Sequence, residues 1–371
     1  MNIATVEVIA IRAPRKEVVR SGAGITPVEA SEFGIVRIVT DDGVEGLGEI
    51  SITYPRIGFS LCHAARRLIA PRLLGWDPLR IPEILAVIDA VLIGELSAPY
   101  LRAAFEMALL DLSGRHHGIP LYQLLGGKAR DGVPLAWGIY QKAPEEMAVD
   151  AALAADAGFQ SIKLKVGRGV EVDRAAVRAV ANATDYAIPL RLDANMAWRT
   201  IPHAVEAIGT LAAEAPIAWV EQPLARENLD GLRLLRQRSR VPIMADESLQ
   251  SLGDAYRLAR AEAADVFNVY VSEAGGIIAS SHIFAFATAL DIPCIIGSQA
   301  ELGIGTAAAA HLGVTVADLP YACETFGPRR YERDVVQPTP RIDQGTLYPA
   351  DAPGLGVALD WDVVNAWRVA D

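Results

Sequence analysis

The sequence predicts an α/β protein built around a TIM-like (β/α) barrel, with an α+β domain on its N-terminal side. Three apolar runs that each stop at a carboxylate carry this prediction; they lie at residues 191–195, 219–223 and 244–248. Such a run is typical of a buried parallel strand whose end reaches the rim of a sheet. Their acids, Asp193, Glu221 and Asp246, are 28 and 25 residues apart, about one strand-and-helix unit. This spacing places them side by side at the C-terminal face of a barrel.

Further candidate strands extend this spacing in both directions. Residues 161–167 form an apolar run that contains Lys163 and Lys165, and later runs end at Tyr270, Gly297 and Glu324. Together with residues 133–140, they complete eight candidate strands at a regular period, as a (β/α) barrel requires. Unrelated buried strands would not place polar residues at their ends so regularly.

Length, charge and cysteine content limit the possible functions. The chain has 371 residues, enough for a large core and more than one domain. Its net charge is −11 and it has no basic run, which argues against a nucleic-acid partner. Three scattered cysteines indicate neither a disulfide framework nor a zinc cluster. Since we find no signal peptide and no apolar run of membrane-spanning length, we expect a cytoplasmic enzyme without a membrane partner.

We expect residues 1–128 to form the α+β capping domain. Residues 3–12 and 34–40 alternate in polarity, and a turn at Asp42-Gly43 leads into a returning strand. The segments 14–31 and 51–58 are predicted to be loops that help to set substrate specificity. Apolar spacing of three and four residues predicts helices at 61–74, 81–92 and 98–116. Within the last helix, Glu106 and Asp111 are expected to be N-terminal or surface charges.

The barrel is expected to span residues 129–324, with a linker at Gly126-Gly127-Lys128 leading into it. Seven segments with helical character separate its candidate strands. After Glu324, frequent prolines and glycines break this pattern. We therefore expect residues 325–371 to form a tail that packs back on the capping domain and completes it.

The strand-end acids indicate a metal site. Asp193, Glu221 and Asp246 supply hard oxygen ligands, and no cysteine or histidine shares their pattern. Such ligands suit Mg²⁺, or Mn²⁺, better than zinc. A carboxylate substrate bound beside the metal would have its α-proton made more acidic, because the metal stabilises the enediolate that forms.

Two lysines on the neighbouring strand are candidate bases. Lys163 and Lys165 alternate on one strand and therefore share one face. Burial and mutual repulsion are expected to lower the pKa of each. Lys165 lies nearer the end of the strand and is the better candidate for the base; Lys163 would tune it and contact the substrate carboxylate. Two solvated lysines on an edge strand are the plainer alternative, but the apolar residues between them favour a buried strand.

These motifs resemble the enolase superfamily, and within it the muconate-lactonizing-enzyme subgroup of the mandelate racemase/muconate lactonizing enzyme family. The similar segments are the Lys-x-Lys strand, the three acids, Gly275-Gly276, and residues 303–307, 324–328 and 353–356. The resemblance covers nearly the whole chain. It implies a modified barrel with a capping domain, Mg²⁺ as cofactor and a lysine base. It also implies catalytic roles for Lys165, Lys163 and Glu324.

One position departs from the subgroup. The resemblance implies a second lysine at the end of the sixth strand, where this chain has Tyr270. A phenol is normally a proton donor and not a ready base. The sequence therefore favours a reaction that needs one base, either cycloisomerisation or syn β-elimination of water by Lys165. The alternatives are a racemase or epimerase that uses Tyr270 as second acid/base, and a non-catalytic carboxylate-binding relic.

Several residues are predicted to contact the substrate, which we expect to be a small carboxylate. They are Tyr54 in the 51–58 loop, and Asn195 and Ser298 at strand ends. We also expect the chain to form a homo-oligomer, between a dimer and an octamer.

Overall fold

The computed structural model describes residues 1–19, 28–52 and 57–369. Tyr54 lies outside the described residues, and so do parts of the two predicted loops. Within the described part of the chain, no helix is both long enough and apolar enough to cross a bilayer.

The N-terminal part is an antiparallel sheet covered by helices. The strands, in spatial order, are β1 (Ile3–Val19), β2 (Val28–Thr40) and β3 (Glu45–Ser51). The helices are α1 (Gly58–Ala64), α2 (Ala70–Leu73), α3 (Ile81–Val91), α4 (Ala98–His117) and α5 (Leu121–Leu124), with a π-helical turn at Ala65–Ile69 between α1 and α2. The predicted loop at 14–31 is wrong at both ends, since Pro14 pairs with Ala30 and Val19 with Val28 in the β1–β2 ladder.

The central part is the predicted barrel. After the short β4 (Val133–Pro134), parallel strands follow in the order of the sequence: β5 (Trp137–Ile139), β6 (Ile162–Lys165), β7 (Leu190–Asp193), β8 (Ile217–Glu221), β9 (Ile243–Ala245), β10 (Val266–Val269) and β11 (Cys294–Ile296). The helices between and after them are α6 (Pro144–Asp156), α7 (Val170–Ala183), α8 (Ile201–Ala212), α9 (Leu229–Arg238), α10 (Leu252–Arg260), α11 (Ile277–Thr288) and α12 (Gly303–Thr315). Leu164 and Leu192 are buried, as expected for strands covered by helices.

The eighth barrel position holds an extended segment and not a regular strand. Leu135 and Cys323 form a single parallel bridge there. The Glu324 N–H donates to the Ile296 carbonyl (2.8 Å), and the Ala136 N–H donates to the Cys323 carbonyl (2.7 Å). These contacts connect β11 back to the start of the barrel. The fold-class prediction is thus confirmed, although the eighth strand is reduced to one bridge.

The C-terminal tail returns to the N-terminal sheet. Its elements are a 3₁₀ helix (Gly327–Arg330), β12 (Val336–Gln337), β13 (Arg341–Asp343), β14 (Thr346–Tyr348), β15 (Ala358–Leu359) and α13 (Trp361–Trp367). β14 pairs with both β13 and β4. Arg368 forms an antiparallel bridge with Ile11 of β1, and the Val369 N–H donates to the Ala10 carbonyl (2.9 Å). The tail therefore packs on the capping sheet, as predicted.

Buried acids fasten the N-terminal part to the rest of the fold. Glu49 of β3 accepts hydrogen bonds from the Leu302 and Gly305 N–H groups (both 2.9 Å), at the start of α12. Glu106 of α4 accepts one from the Ile278 N–H (3.2 Å), at the start of α11. Unpaired N–H groups and the helix dipole make a helix N-terminus a favourable place for a carboxylate.

The prediction that Glu106 and Asp111 are N-terminal or surface charges is wrong, because both side chains are completely buried in the middle of α4. Asp111 accepts hydrogen bonds from the Leu47 N–H (2.9 Å) and from the Leu355 N–H of the tail (2.7 Å). Gly276 makes room for Glu106: a Cβ atom there would lie 2.0 Å from Glu106 Oε2. One of the paired glycines noted in the sequence is thereby explained.

Candidate active site

A cavity of about 830 Å³ lies at the C-terminal ends of the barrel strands. Residues of β1 and α4 form part of its wall, so the capping domain closes one side of it. The predicted site residues that line it are Lys163, Lys165, Asn195, Asp246, Tyr270, Ser298 and Glu324. Asp193 and Glu221 are fully buried beside them.

The three predicted metal ligands come from adjacent strands. Asp193 ends β7, Glu221 ends β8, and Asp246 directly follows β9. One ligand oxygen from each lies within 4.8 Å of the others. In the described part of the chain, Glu221 Oε2 is buried without a hydrogen-bond partner. Since an unsatisfied buried acceptor is costly, this oxygen and the all-carboxylate donor set fit a hard divalent cation.

The acids in this cluster differ in their tendency to ionise. Burial raises the pKa of Asp193, but Lys163 and Lys165 outweigh that effect and lower it below its usual range. Burial and the neighbouring Asp193 carboxylate raise the pKa of Glu221 well above its usual range. Burial and Glu247 do the same for the pKa of Asp246. Crowded carboxylates of this kind are stabilised by added positive charge.

Both lysines of β6 extend into the cluster. Lys163 Nζ donates to Glu221 (2.6 Å) and Glu324 (2.7 Å), and lies 2.9 Å from an Asp193 oxygen. Lys165 Nζ donates to Asp193 (2.5 Å) and to Asn195 Oδ1 (2.9 Å). The two ammonium groups therefore lie on one face of the strand, as the alternation predicted.

The predicted lowering of the lysine pKa values does not occur among the protein groups alone. Burial lowers the pKa of Lys163, but the carboxylates of Asp193, Glu221 and Glu324 outweigh burial and raise it well above its usual value. Burial and Lys163 lower the pKa of Lys165, but the carboxylates of Asp193 and Glu221 together outweigh them and raise it above its usual value. The expectation rested on burial, on the like charge of the two lysines and on a nearby metal; the carboxylate partners of both lysines act in the opposite direction.

Tyr270 lies across the barrel from Lys165. In the strand order, β7, β8 and β9 separate β6 from β10, so these two strands are on opposite sides of the mouth. The Tyr270 hydroxyl accepts a long hydrogen bond from Asn268 Nδ2 (3.4 Å). Burial, then the carboxylates of Asp246 and Glu221, raise the pKa of the phenol well above 10. Tyr270 is therefore a neutral hydrogen-bonding group here.

The other predicted substrate contacts occupy different positions in the site. Asn195 is bridged between Lys165 and Glu247, to which its Nδ2 donates (3.2 Å). The Ser298 hydroxyl donates to Glu301 and accepts from the Ala300 N–H (2.9 Å), so it also holds its own loop. Within the described chain, Glu324 Oε1 is buried without a hydrogen-bond partner.

Two further groups near strand ends, Asn268 and Gly297, shape the cavity. Asn268 Nδ2 donates to Glu221 (3.3 Å) and Asp246 (3.2 Å), and so bridges two of the acids. Gly297 leaves space for the phenol ring, because a Cβ atom there would lie 2.3 Å from a Tyr270 ring carbon. In the sequence, only the position of each residue near a strand end indicated that it could lie in the cavity.

The sequence pattern did not indicate Arg330 as a cavity residue. It belongs to the tail, and its guanidinium lies over the rings of Trp137, Phe326 and Tyr140, with centroid distances of 4.6 to 4.8 Å. It also donates to Glu17 of β1 and to the Gly138 carbonyl. No local pattern in the tail points to this cavity-lining position.

Comparison with known proteins agrees with this architecture. A family described as "Mandelate racemase / muconate lactonizing enzyme, N-terminal domain" matches residues 5–126. One described as "Enolase C-terminal domain-like" matches residues 146–363. The chain is 33% identical to muconate cycloisomerase 1-2 of Acinetobacter lwoffii, over 99% of this chain and 96% of that protein.

Two further relatives differ from each other in activity. The L-Ala-D/L-Glu epimerase of Bacillus subtilis is 34% identical, over 96% of this chain and 97% of that protein. The structure of muconate lactonizing enzyme from Pseudomonas fluorescens, complexed with muconolactone, superposes with a TM-score of 0.93 at 31% identity, and 99% of each chain is covered. The chain is thus an enzyme of the muconate-lactonizing type, and it belongs to the mandelate racemase/muconate lactonizing enzyme family of the enolase superfamily.

Proposed function

We propose that this enzyme removes the α-proton of a small carboxylate substrate with Lys165, in a one-base cycloisomerisation or syn β-elimination of water. The observation that carries the proposal is the difference between the two sides of the cavity. Lys165 offers an amine from β6, whereas β10, on the opposite side, offers the Tyr270 phenol. A reaction in which one group both takes and returns the proton needs only the amine.

The metal in this proposal is Mg²⁺, with Mn²⁺ as a possible substitute. Asp193, Glu221 and Asp246 would hold it, since their ligand oxygens lie within 4.8 Å of one another. A bound divalent cation would supply positive charge for the enediolate oxygens and would offset the repulsion among the acids. The general use of a divalent metal in this superfamily supports the choice.

Each neighbouring group then has a defined role. Lys163, held by Glu221 and Glu324, would hydrogen-bond the substrate carboxylate, and Glu324 would position Lys163. Asn195 would orient Lys165 through its 2.9 Å hydrogen bond. Tyr270 would donate a hydrogen bond or proton from the opposite face. Tyr54 and Ser298 remain proposed substrate contacts.

In the elimination, the α C–H bond breaks and its proton passes to the Lys165 amine. The bond between the β-carbon and its hydroxyl group then breaks. Lys165 returns the proton to the departing oxygen on the same face, so that water leaves and an unsaturated carboxylate remains. In the cycloisomerisation, a carboxylate oxygen of the substrate adds to the β-carbon of a carbon–carbon double bond, and Lys165 delivers a proton to the α-carbon. In the reverse direction, Lys165 removes that proton, the ring C–O bond breaks, and the carboxylate that is released stays on the same molecule.

Racemisation or epimerisation is the second candidate, and epimerases among the relatives favour it. It requires acid/base groups on both faces of the α-carbon, and Tyr270 would have to be the group on the second face. The Tyr270 phenolate would have to form during turnover. Membership of an enzyme family argues against the third alternative, a carboxylate-binding relic.

α-Proton exchange in D₂O distinguishes these reactions. The Mg²⁺-loaded enzyme is incubated in D₂O with a library of chiral carboxylates, and deuterium uptake at the α-carbon is followed by NMR. For a compound that is a substrate, only one of its two enantiomers should take up deuterium. Lys165→Ala should abolish exchange, whereas Lys128→Ala, which alters a lysine outside the cavity lining, should not change it. Exchange that survives in Lys165→Ala but disappears in Lys163→Ala would reverse the lysine roles. Comparable exchange from both enantiomers, lost in Tyr270→Phe, would establish the racemase.

We propose three further properties on the same basis. The domain boundaries at residues 128 and 324 follow from the sequence pattern, and the family matches to 5–126 and 146–363 support a division near the first. A homo-oligomer between dimer and octamer, and a cytoplasmic location, are likewise proposals. Light scattering of the purified protein tests the oligomeric state directly.

A further inference from the structure

One buried carboxylate in the cavity, Glu273, belongs to neither the metal site nor the proposed proton transfer. Glu273 lies three residues after Tyr270, in the segment that follows β10, and its side chain lines the same cavity. It is only 7% exposed. It was not singled out in the sequence, because no strand-end spacing points to it.

Groups from three separate segments hold this carboxylate in place. The Tyr100 hydroxyl of α4 donates to Oε1 (3.2 Å), and Gln299, after β11, donates to the same oxygen. Gln250, after β9, donates to Oε2 (3.3 Å). Both oxygens are therefore fixed, and the carboxylate is preorganised at the wall of the cavity.

These donors are uncharged, so they do not neutralise Glu273. Among the described residues, no lysine or arginine nitrogen forms an ion pair with it, and Arg226 influences it only through space. A buried carboxylate without a cation is costly, even when its hydrogen bonds are made. A ligand that brings a positive charge to this wall would remove that cost.

We propose that Glu273 is a recognition site for a protonated amine, and that the substrate is therefore an ammonium carboxylate, such as an amino acid or short peptide, and not a dicarboxylate. This inference rests on the proposed function, because the metal site and Lys163 must hold the substrate carboxylate. Glu273 lies on the Tyr270 side of the cavity, where it would attract an ammonium group. It would repel a second carboxylate at the same place.

A purely structural role is the competing explanation. Glu273 could serve only to tie Tyr100, Gln250 and Gln299 together. Glutamine has the same shape, and its carbonyl oxygen can keep the hydrogen bonds from Tyr100 and Gln299. Its amide would face Gln250, whose own side-chain amide can turn and offer its oxygen, unlike the fixed backbone N–H groups around Glu49. Glu273→Gln therefore removes the charge and keeps this network. A structural role predicts equal effects on all ligands, whereas amine recognition predicts a selective one.

Binding to the Mg²⁺-loaded enzyme tests the inference without relying on turnover. The probes are free amino acids and dipeptides, each paired with its N-acetyl derivative, together with muconate. Calorimetry on wild-type enzyme should show tighter binding of the free amines than of their acetylated partners. In Glu273→Gln this preference should fall on the order of 100-fold, as expected for loss of a buried charge partner. Glu95→Gln, which alters an exposed carboxylate on the same cavity wall, should retain the wild-type preference.

The outcomes separate this inference from the proposed function. Equal losses for free and acetylated probes in Glu273→Gln, or a wild-type preference for muconate, would overturn amine recognition. Neither result would affect Lys165-dependent exchange. Conversely, a preference for amines that depends on Glu273 would stand even if Lys165→Ala left exchange intact.

Discussion

At the scale of single residues, Asp246 offers the clearest test of the metal site. It follows the end of β9 and is not an ion-pair partner of either lysine at short range, so its substitution leaves Lys163 and Lys165 with their observed partners. We predict that Asp246→Asn weakens Mg²⁺ binding by more than about 100-fold, because one of three charged ligands is lost.

Titration calorimetry measures this change. Asp230→Asn, at an exposed position in α9, provides the matched control and should bind Mg²⁺ like the wild type. Equal affinity in the wild type and in Asp246→Asn would show that the metal is held elsewhere.

Tyr270→Phe tests how much the phenol contributes. The substitution keeps the ring that Gly297 accommodates and removes only the hydroxyl. If the hydroxyl supplies one hydrogen bond or proton transfer, turnover should fall roughly 10- to 100-fold. Steady-state kinetics on an identified substrate gives the answer, and complete loss of activity would instead indicate an indispensable acid.

The sequence predicted the location of a side chain well where a single strand determines it. Asp193, Glu221 and Lys165 lie at strand ends, so local pattern and barrel geometry suffice. Glu273 and Arg330 could not be predicted in this way. Their positions depend on contacts with α4 and β1, which are distant in sequence.

At the scale of elements, Glu49 joins β3 to the start of α12. Glutamine in its place would direct an amide group towards a backbone N–H that now donates to a carboxylate oxygen. We predict that Glu49→Gln lowers the free energy of unfolding by about 1–3 kcal/mol, the cost of an unsatisfied buried donor. Urea denaturation measures this difference. Glu83→Gln, in an exposed pair with Arg80, should change stability by less than about 0.5 kcal/mol.

His311 joins α12, α5 and the tail, and its contacts require the neutral ring. Its Nδ1 accepts from the Tyr122 N–H (3.2 Å), so Nε2 carries the proton and donates to the Leu355 carbonyl (3.2 Å). Burial lowers the pKa of His311 from 6.5 to about 4. Because the unfolded chain binds the proton more readily, His311 contributes stability that is present above pH 6.5 and lost as the pH falls towards 4.

This contribution is up to about 3 kcal/mol for such a shift in pKa. Urea denaturation between pH 7 and pH 4 should therefore show a smaller loss of stability in His311→Gln than in the wild type. His203→Gln, at an exposed position, should follow the wild type. Parallel curves for the wild type and His311→Gln would contradict the neutral-ring assignment.

The elements themselves were predictable to different degrees. The barrel strands β6 to β11 were correctly located, because apolar runs of that length at a regular period have few other interpretations. The eighth barrel position is held by a few backbone hydrogen bonds to the neighbouring segments and not by a regular strand. The sequence pattern therefore predicted a longer strand there than the structure contains. The burial of Glu106 and Asp111 was missed because their partners are backbone N–H groups far along the chain.

At the scale of the whole molecule, metal binding at the acid cluster should raise the free energy of unfolding. Asp193, Glu221 and Asp246 are all buried, and the unfolded chain has no comparable site. Mg²⁺ at about 100 times its dissociation constant should therefore raise the free energy of unfolding by about 2.7 kcal/mol. Thermal denaturation in Mg²⁺ and in EDTA measures the effect. Asp246→Asn should lose most of it, and an unchanged wild-type transition would contradict a metal at this site.

The buried hydrogen bonds of Glu49, Glu106 and Asp111 limit which N-terminal parts and barrels can be combined in one chimeric protein. Each of these acids lies in the first third of the chain. The N–H groups that donate to them belong to β3, the barrel helices or the tail. A chimera that combines the N-terminal part of one relative with the barrel of another must therefore match acids to donors across the graft. The same constraint applies to natural variation, because loss of one of these acids would leave buried backbone N–H groups without an acceptor.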